Sequence, residues 1–262
     1  MSIDARALAG VLAEATRTGE AVPQLSISTP LTVDDAYAVQ QAGIALLAER
    51  GDEQVGVKLG LTSKAKAAQM GVADVIIGVL TASMQIADGG TIDISHGVHP
   101  RVEPEVAFLI GDDVPADASD ADVLTAVTHV APALEIIDSR YKDFRFTLED
   151  VVADNTSASG FVVGPWVPVD PLHGRSAIAD VPVRLIVDGE EAAVGSTADI
   201  LGNPWQAPLD ARRLGARYGH RLSRGTILLA GAATAAASLA GCAEVRAEVA
   251  GLGEVSVRIE EE

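Results

Sequence analysis

An α+β fold, a mixed β-sheet body behind a helical N-terminal region, is what this 262-residue sequence predicts. Three observations carry that reading. The first fifth of the chain places apolar residues at helical spacing; from Val55 onward short β-rich runs broken by Gly, Asp and Pro take over; and helical patterns interrupt those runs too seldom for a regular βαβ repeat. With 48% apolar and 21% charged residues, the chain can bury one large core.

Taken in order, the first expected helix is Ala5 to Thr18 and the second Asp34 to Arg50. The second follows "TPLTVDD", where Thr32 suits the N-cap and the aspartates put negative charge into the first turn, against the positive end of the helix dipole. Strands are expected in "VGVKLGL", "VIIGVL", "TIDIS", "VAFLIG", "ALEIID", "GFVVG", "PVRLIVDG", "TILLAG", "AEVRAEVAG" and "GEVSVRIE". Several of these alternate apolar and polar residues, as strands with one wet face do. Two further helices are expected at Ala121 to Ala131 and Pro208 to Tyr218.

The 19 basic and 37 acidic side chains leave a net charge of −18, a field that repels nucleic-acid phosphates and anionic lipid. Neither nucleic acid nor membrane is an expected partner. An anionic substrate would need local positive help, from a metal ion or from particular Lys and Arg residues. The single cysteine, Cys242, excludes an intrachain disulfide and a cysteine-cluster metal site, which fits a reducing cytoplasm. The opening "MSIDARALAGVLAEATRTGE" carries Asp4 and Glu14 and no continuous apolar run, so no signal peptide is expected. "GTILLAGAATAAASLAGCA" is too rich in Ala and Gly to read as a membrane span, and its "LAGC" lies far from the N-terminus where a lipoprotein box works.

Chemistry is expected around "RVEPEVAFLIG". Residues two apart on a strand share a face, so Glu103 and Glu105 aim together while Val102 and Val106 aim the other way. Adjacent carboxylates repel, and unless solvated they need a shared proton, a basic partner or a divalent cation. A third acid, Glu135, sits among Leu134, Ile136 and Ile137 in another strand-like run. Three oxygen donors without Cys or closely spaced His suit a hard cation, Mg²⁺ or Mn²⁺. The competing reading makes Glu103 and Glu105 the polar face of an edge strand and Glu135 an ordinary ion-pair partner. "GVKLGLTSKA" adds Lys58 in mid-strand, either functional or merely snorkelling, and "VVADNTSAS" adds Asp154, Asn155 and Ser157 in a polar loop.

"VGVKLGLTSKAKAAQMGV", "HPRVEPEVAFLIG", "PALEIIDSRYKDFRFTLEDVVADNTSASGFVVG" and "GLGEVSVRI" together resemble the 2-oxopent-4-enoate hydratase and 4-oxalocrotonate decarboxylase branch of the fumarylacetoacetate hydrolase superfamily, from about Leu31 to Ile259. The resemblance implies the superfamily's mixed β-roll and an oligomeric assembly. With the change of texture at Val55, the chain is expected to comprise a helical N-terminal region, 1–54, and a β-roll catalytic region, 55–262, acting as one unit. The resemblance implies that Glu103, Glu105 and Glu135 hold Mg²⁺ or Mn²⁺, that Lys58 is catalytic beside a small 2-oxo acid or dienol, and that Ser157 contacts substrate. The family's "DNAS" is "DNTS" here, with Thr156 in place of Ala.

The two reactions of this branch share a dienol, the product of decarboxylating 2-oxohex-3-enedioate and the starting point of the hydratase. Hydration needs a group that delivers and deprotonates water, whereas loss of CO₂ needs no base. Hydratases typically read Pro-Asp-Tyr-Gly where this chain has Val75, Ile76, Ile77 and Gly78, so Ile76 replaces the acid; decarboxylases resemble Pro-Ile-Tyr-Gly. An apolar wall also favours converting a poorly solvated carboxylate to neutral CO₂. "IIDSRYKDFRF" likewise resembles the decarboxylases, and decarboxylation is the expected activity, with hydration the alternative. Against it stands the possibility that Ile76 is core and Asp74 does the acid's work; Val75 and Ile77 also depart from both family patterns. Arg140 and Arg145 each have open readings: contact with a second substrate carboxylate, exposure to solvent, or binding to Asp138 or Asp143.

A C–C hydrolase of the superfamily would use the same three carboxylates with a His and acid pair, but His96, His99, His129, His173 and His220 form no His-x-x-Glu motif. A non-enzymatic scaffolding subunit would not need all three glutamates and Lys58. The resemblance also implies a possible complex with a homologous hydratase or decarboxylase. "LLAGAATAAASLAG" fits either a buried strand and turn near the site or a subunit interface.

Overall fold

The computed structural model describes residues 3–63, 74–169 and 174–261. The segment after Lys58 from residue 64 to 73, part of the motif quoted above, and His173 lie outside the described residues.

Three N-terminal helices come first: α1 (Ala5–Thr18), the single turn α2 (Leu25–Ser28) and α3 (Val33–Ala48). α3 begins as its sequence dictates, with Thr32 and Asp35 forming a reciprocal capping box. The body holds β1 (Gln54–Gly60), β2 (Ile76–Thr81), β3 (Gln85–Ile86), β4 (Gly90–Asp93), β5 (Arg101–Ile110), β6 (Val127–Ile137), β7 (Ala158–Val163) and β8 (Val167–Pro168). β9 (Pro182–Val187), β10 (Glu190–Ser196), β11 (Ile227–Ala232), β12 (Ala237–Ser238), β13 (Glu244–Val249) and β14 (Gly253–Glu260) complete it. Helices α4 (Asp120–Ala126), α5 (Leu148–Ala153), α6 (Gly174–Ala177) and α7 (Gln206–Tyr218) lie between strands. No helix of the described residues is long and apolar enough to cross a membrane, and the alanine-rich stretch from Gly225 contains β11, β12, their connection and the turn leading to β13.

The larger sheet runs β2-β1-β11-β5-β6-β7-β3, with β12 added to β5 and β8 to β6; the smaller runs β10-β9-β13-β14-β4. Both are mixed, because β1 meets β11, β7 meets β3 and β14 meets β4 in parallel while most other pairs are antiparallel. Val102, Leu134, Ile136 and Val162 of the larger sheet pack against Leu185, Val245, Val255 and Val257 of the smaller. On the opposite face, Ala107, Ala131 and Ala133 lie with Leu229 and Phe161. Small side chains there leave room beside the glutamates that share that face.

Two sequence expectations are corrected. The helix expected from Ala121 to Ala131 ends at Ala126, and Val127–Ala131 opens β6 instead, because Phe108 and Ala107 of β5 pair with Val130 and Ala131. Tertiary pairing overrides the local periodicity there. The one-wet-face reading holds for β14, whose buried residues alternate, but β5 and β6 are buried on both faces along most of their length. They are central strands, covered by the second sheet on one side.

Candidate metal centre and active site

β5 and β6 pair so that Glu103 lies directly opposite Glu135. Like charges in that register destabilise a sheet, so this pairing requires compensation. Glu105 follows on the same face, and the three side chains are 7%, 1% and 0% exposed, which overturns the edge-strand reading. Each offers a carboxylate oxygen within 4.8 Å of the others. Among the described residues, Glu105 Oε1 and Glu135 Oε2 lack a hydrogen-bond donor, and Glu135 Oε1 faces only the Lys58 ammonium. Buried carboxylate oxygens left without donors and turned toward one another fit a divalent cation with oxygen ligands.

The other oxygen of Glu105 is fixed by the backbone N–H of Gly231, which donates to Oε2 at 2.7 Å. That N–H is aimed by a bulge in the β11–β5 pairing, between Leu229 and Ala232. Gly231 has φ +114°, and a Cβ there would come within 2.1 Å of Thr62 Oγ1, so only glycine fits. The first part of the alanine-rich stretch, β11, is thus a buried strand beside the site, while Ala235, Ser238, Ala240 and Gly241 beyond it are exposed.

Lys58 is no snorkelling lysine, being 3% exposed. Its Nζ forms an ion pair with Glu135 Oε1 at 3.0 Å and donates to Thr156 O at 3.1 Å. Burial pulls the ammonium toward neutrality, but the charges of Glu135, Glu105 and Glu103 outweigh it and hold its pKa above the usual lysine value. Burial first, then the Glu135 charge, push the Glu105 carboxyl well above the usual carboxylate range. Glu135 is likewise raised by burial, with Lys58 opposing. Before any cation arrives, the cluster therefore favours a charged lysine and an incompletely ionised carboxylate set.

The loop that meets Lys58 is strained. Asn155, Thr156 and Ser157 are consecutive non-glycine residues at φ +48°, +55° and +59°. Asn155 pins the loop by accepting from Val79 N and donating to Val79 O, both at 2.8 Å. Gly78 permits the approach, since a Cβ there would meet Asn155 O at 2.9 Å and Lys58 Cδ at 3.0 Å. Arg140 closes the other side: buried, it donates through Nε to Asp154 Oδ1 at 2.5 Å and through Nη1 and Nη2 to the carbonyls of Asp138, Ala158 and Asp154. Its guanidinium is committed to holding the loop: it is buried rather than solvent-facing, it binds Asp138 only through that residue's carbonyl, and its ion pair is with Asp154, which leaves it no free edge for a substrate carboxylate. Thr156 Oγ1 and Ser157 Oγ are buried without partners among the described residues, a loop conformation maintained with two hydroxyls to spare.

These parts border one cavity of about 670 Å³, lined by Lys58, Glu103, Ile76, Thr156 and Ser157 and, at exposed positions, by Arg101 and Arg145. Asp74, the alternative acid, does not line it; Arg213 clamps its carboxylate at 2.6 and 2.8 Å on the outside. A smaller cavity of about 360 Å³ lies between α1 and α3 on the far side of Asp154, without Lys58 or any of the three glutamates.

The family model described as fumarylacetoacetate (FAA) hydrolase C-terminal matches residues 53–260. The chain belongs to this family. Among FAA hydrolase relatives, a 4-oxalocrotonate decarboxylase of a Pseudomonas species is 47% identical over 228 residues, 87% of each chain. A 2-keto-4-pentenoate hydratase of Paraburkholderia xenovorans is 35% identical over 84% of this chain and 82% of its own length. The solved structure of 4-oxalocrotonate decarboxylase from Pseudomonas putida G7, complexed with magnesium and adipate, superposes with a TM-score of 0.91 at 33% identity, covering 98% of this chain and 97% of that one.

Sequence reasoning missed Gly231, which fixes Glu105, and Arg101, which borders the cavity. Arg101 was legible, two residues before Glu103 on the same strand face; Gly231 was not, because its role arises from a bulge opposite Glu105.

Proposed function

We propose that this FAA hydrolase family member decarboxylates 2-oxohex-3-enedioate (4-oxalocrotonate) to 2-hydroxypenta-2,4-dienoate and CO₂. One observation of the site carries the choice: the cavity wall where a hydratase of this branch would supply an acid is Ile76, and the nearest alternative, Asp74, is held outside by Arg213. Decarboxylation needs no water-activating group at that wall; hydration does. The 47% identity to a decarboxylase, against 35% to a hydratase, supports the same reading.

In this proposal Glu103, Glu105 and Glu135 hold Mg²⁺ or Mn²⁺. Their all-oxygen donor set suits either ion, and the magnesium of the P. putida structure favours the first. A bound divalent cation supplies Lewis-acid stabilisation of negative charge at the oxygens of a 2-oxo acid. Lys58 acts as a fixed positive charge: its ammonium stays protonated among the glutamates and stabilises negative charge that develops on the substrate beside it. Ser157 offers a buried hydroxyl without another partner as a donor to substrate oxygen. Ile76 keeps that part of the cavity apolar and excludes water from it.

NMR product analysis tests this with purified protein, Mg²⁺ and, separately, 2-oxohex-3-enedioate and freshly made 2-hydroxypenta-2,4-dienoate. CO₂ release from the first without hydration of the second is expected. Formation of 4-hydroxy-2-oxopentanoate from the second makes the protein a hydratase and overturns the argument from Ile76.

A further inference from the structure

We propose that Arg101 and Arg145 form a receptor for the distal carboxylate of a dicarboxylic 2-oxo acid, so that the site selects diacids over monoacids of equal length. This deepens the reading above and rests on it, since it assumes that the 2-oxo acid end is held at the three glutamates.

Placement comes first. Arg101, Glu103 and Glu105 occupy alternate positions of β5 and therefore one face. At about 3.3 Å of rise per residue, the Cα of Arg101 stands roughly 7 Å along the strand from that of Glu103. Glu103 is buried, whereas Arg101 is exposed, so the face runs from a deep acidic cluster to a cationic mouth. An extended six-carbon diacid separates its carboxyl carbons by roughly 6 Å at ordinary C–C bond lengths. That span is close to the spacing between successive same-face positions of β5.

The charge pattern is the second observation. In a chain with 37 acids against 19 bases, arginines readily find carboxylates, and many here do. Arg101 and Arg145 have no acidic partner among the described residues, although both border the cavity. Apart from Glu103, the described lining carries no carboxylate. The mouth is thus a local positive field within a protein of net charge −18, the feature an anionic substrate would require.

Preorganisation is the third. The Arg101 guanidinium lies over the Phe144 ring, 4.6 Å from its centroid. Phe144 meets Phe146 edge-on at 5.3 Å and His99 at 6.0 Å. Two of the chain's four phenylalanines therefore sit at this mouth. Contact with the ring restrains the guanidinium's position, and a guanidinium can meet a planar carboxylate in a bidentate way that a lysine does not offer. The consecutive left-handed residues Asp143 and Phe144, at φ +59° and +54°, set the turn that presents the ring.

Such a contact acts on the ground state and is lost as the carboxylate departs as CO₂. Its removal raises KM without lowering kcat.

Calorimetry of the Mg²⁺-loaded full chain with 2-oxoadipate and 2-oxohexanoate tests the proposal in wild type, Arg101→Gln, Arg145→Gln and the double variant. Wild type is expected to bind the diacid about 10- to 100-fold more tightly. The double variant should lose most of that preference while binding 2-oxohexanoate as wild type does, and Arg101→Lys should recover only part of it. With 2-oxohex-3-enedioate, KM of the double variant should rise about tenfold or more with no fall in kcat. Equal Mg²⁺-dependent binding of both acids by wild type, or an unchanged preference in the double variant, overturns the receptor and leaves the metal-site reading standing. If neither acid binds in a Mg²⁺-dependent way, that reading fails and the receptor with it.

Discussion

Replacing Glu105 by Gln should make the metal-free protein more stable and the metal-binding protein worse. The substitution keeps the shape and leaves an oxygen to accept from Gly231 N, which now bonds Glu105 Oε2 at 2.7 Å. It removes one negative charge from a buried group whose carboxylate oxygens approach within 4.8 Å. At that separation each like-charge pair costs about 3 to 4 kcal/mol at an effective dielectric near 20. Lys58, 3.0 Å from Glu135, offsets part of this for the ionised cluster. The net gain should be about 2 to 4 kcal/mol relative to the fully ionised wild-type cluster, and should grow as pH rises. A carboxyl whose pKa is raised on folding binds more protons folded than unfolded, so wild-type stability is fullest at low pH and falls as pH rises toward the folded pKa. Urea unfolding in EDTA from pH 6 to pH 9 should show that decline in wild type and a flatter profile in Glu105→Gln. Calorimetric Mg²⁺ affinity should meanwhile drop by more than about 100-fold, since a direct ligand is worth at least as much as its supporting groups. If Glu105→Gln proves less stable than wild type in EDTA at pH 9, or keeps its Mg²⁺ affinity, the picture of three crowded carboxylates awaiting a cation is refuted.

Three other outcomes are expected. Ile76→Asp should slow CO₂ release from 2-oxohex-3-enedioate more than about tenfold, because a second carboxylate would face the substrate in a poorly solvated cavity; an unchanged rate would remove Ile76 from the substrate's surroundings. Gly231→Ala should lose about 3 kcal/mol in urea unfolding and most of its stabilisation by Mg²⁺, since φ +114° and the Thr62 contact both oppose a Cβ; wild-type behaviour would show that the bulge readily relaxes. Burial lowers the His220 pKa to about 4, so the unfolded chain binds the extra proton between pH 6.5 and 4. Stability should therefore fall with pH across that window by up to about 3 kcal/mol, and the decline measured by urea unfolding should be shallower in His220→Leu.

Local chemistry wrote the helices and the face of the carboxylates into the sequence. Thr32 with Asp35 caps α3 through contacts three residues apart, and alternation alone puts Glu103, Glu105 and Arg101 on one side of β5. These depend on backbone geometry repeated over a few residues, and so did the linked motifs that carried the family resemblance. What only the tertiary structure decided involves residues distant in the chain. Strand register set Glu135 opposite Glu103 and converted the end of an expected helix into β6. Burial made Lys58 a partner of that cluster, and made Arg140 a brace for the Asp154–Ala158 loop where sequence had left it a candidate for substrate. Asp74, near Ile76 in sequence, was withdrawn from the cavity by Arg213, 139 residues away. Pattern specifies which way a side chain leaves its own strand; what it meets there depends on long-range packing, where desolvation and charge determine whether the same glutamate is a wet surface group or a buried metal ligand.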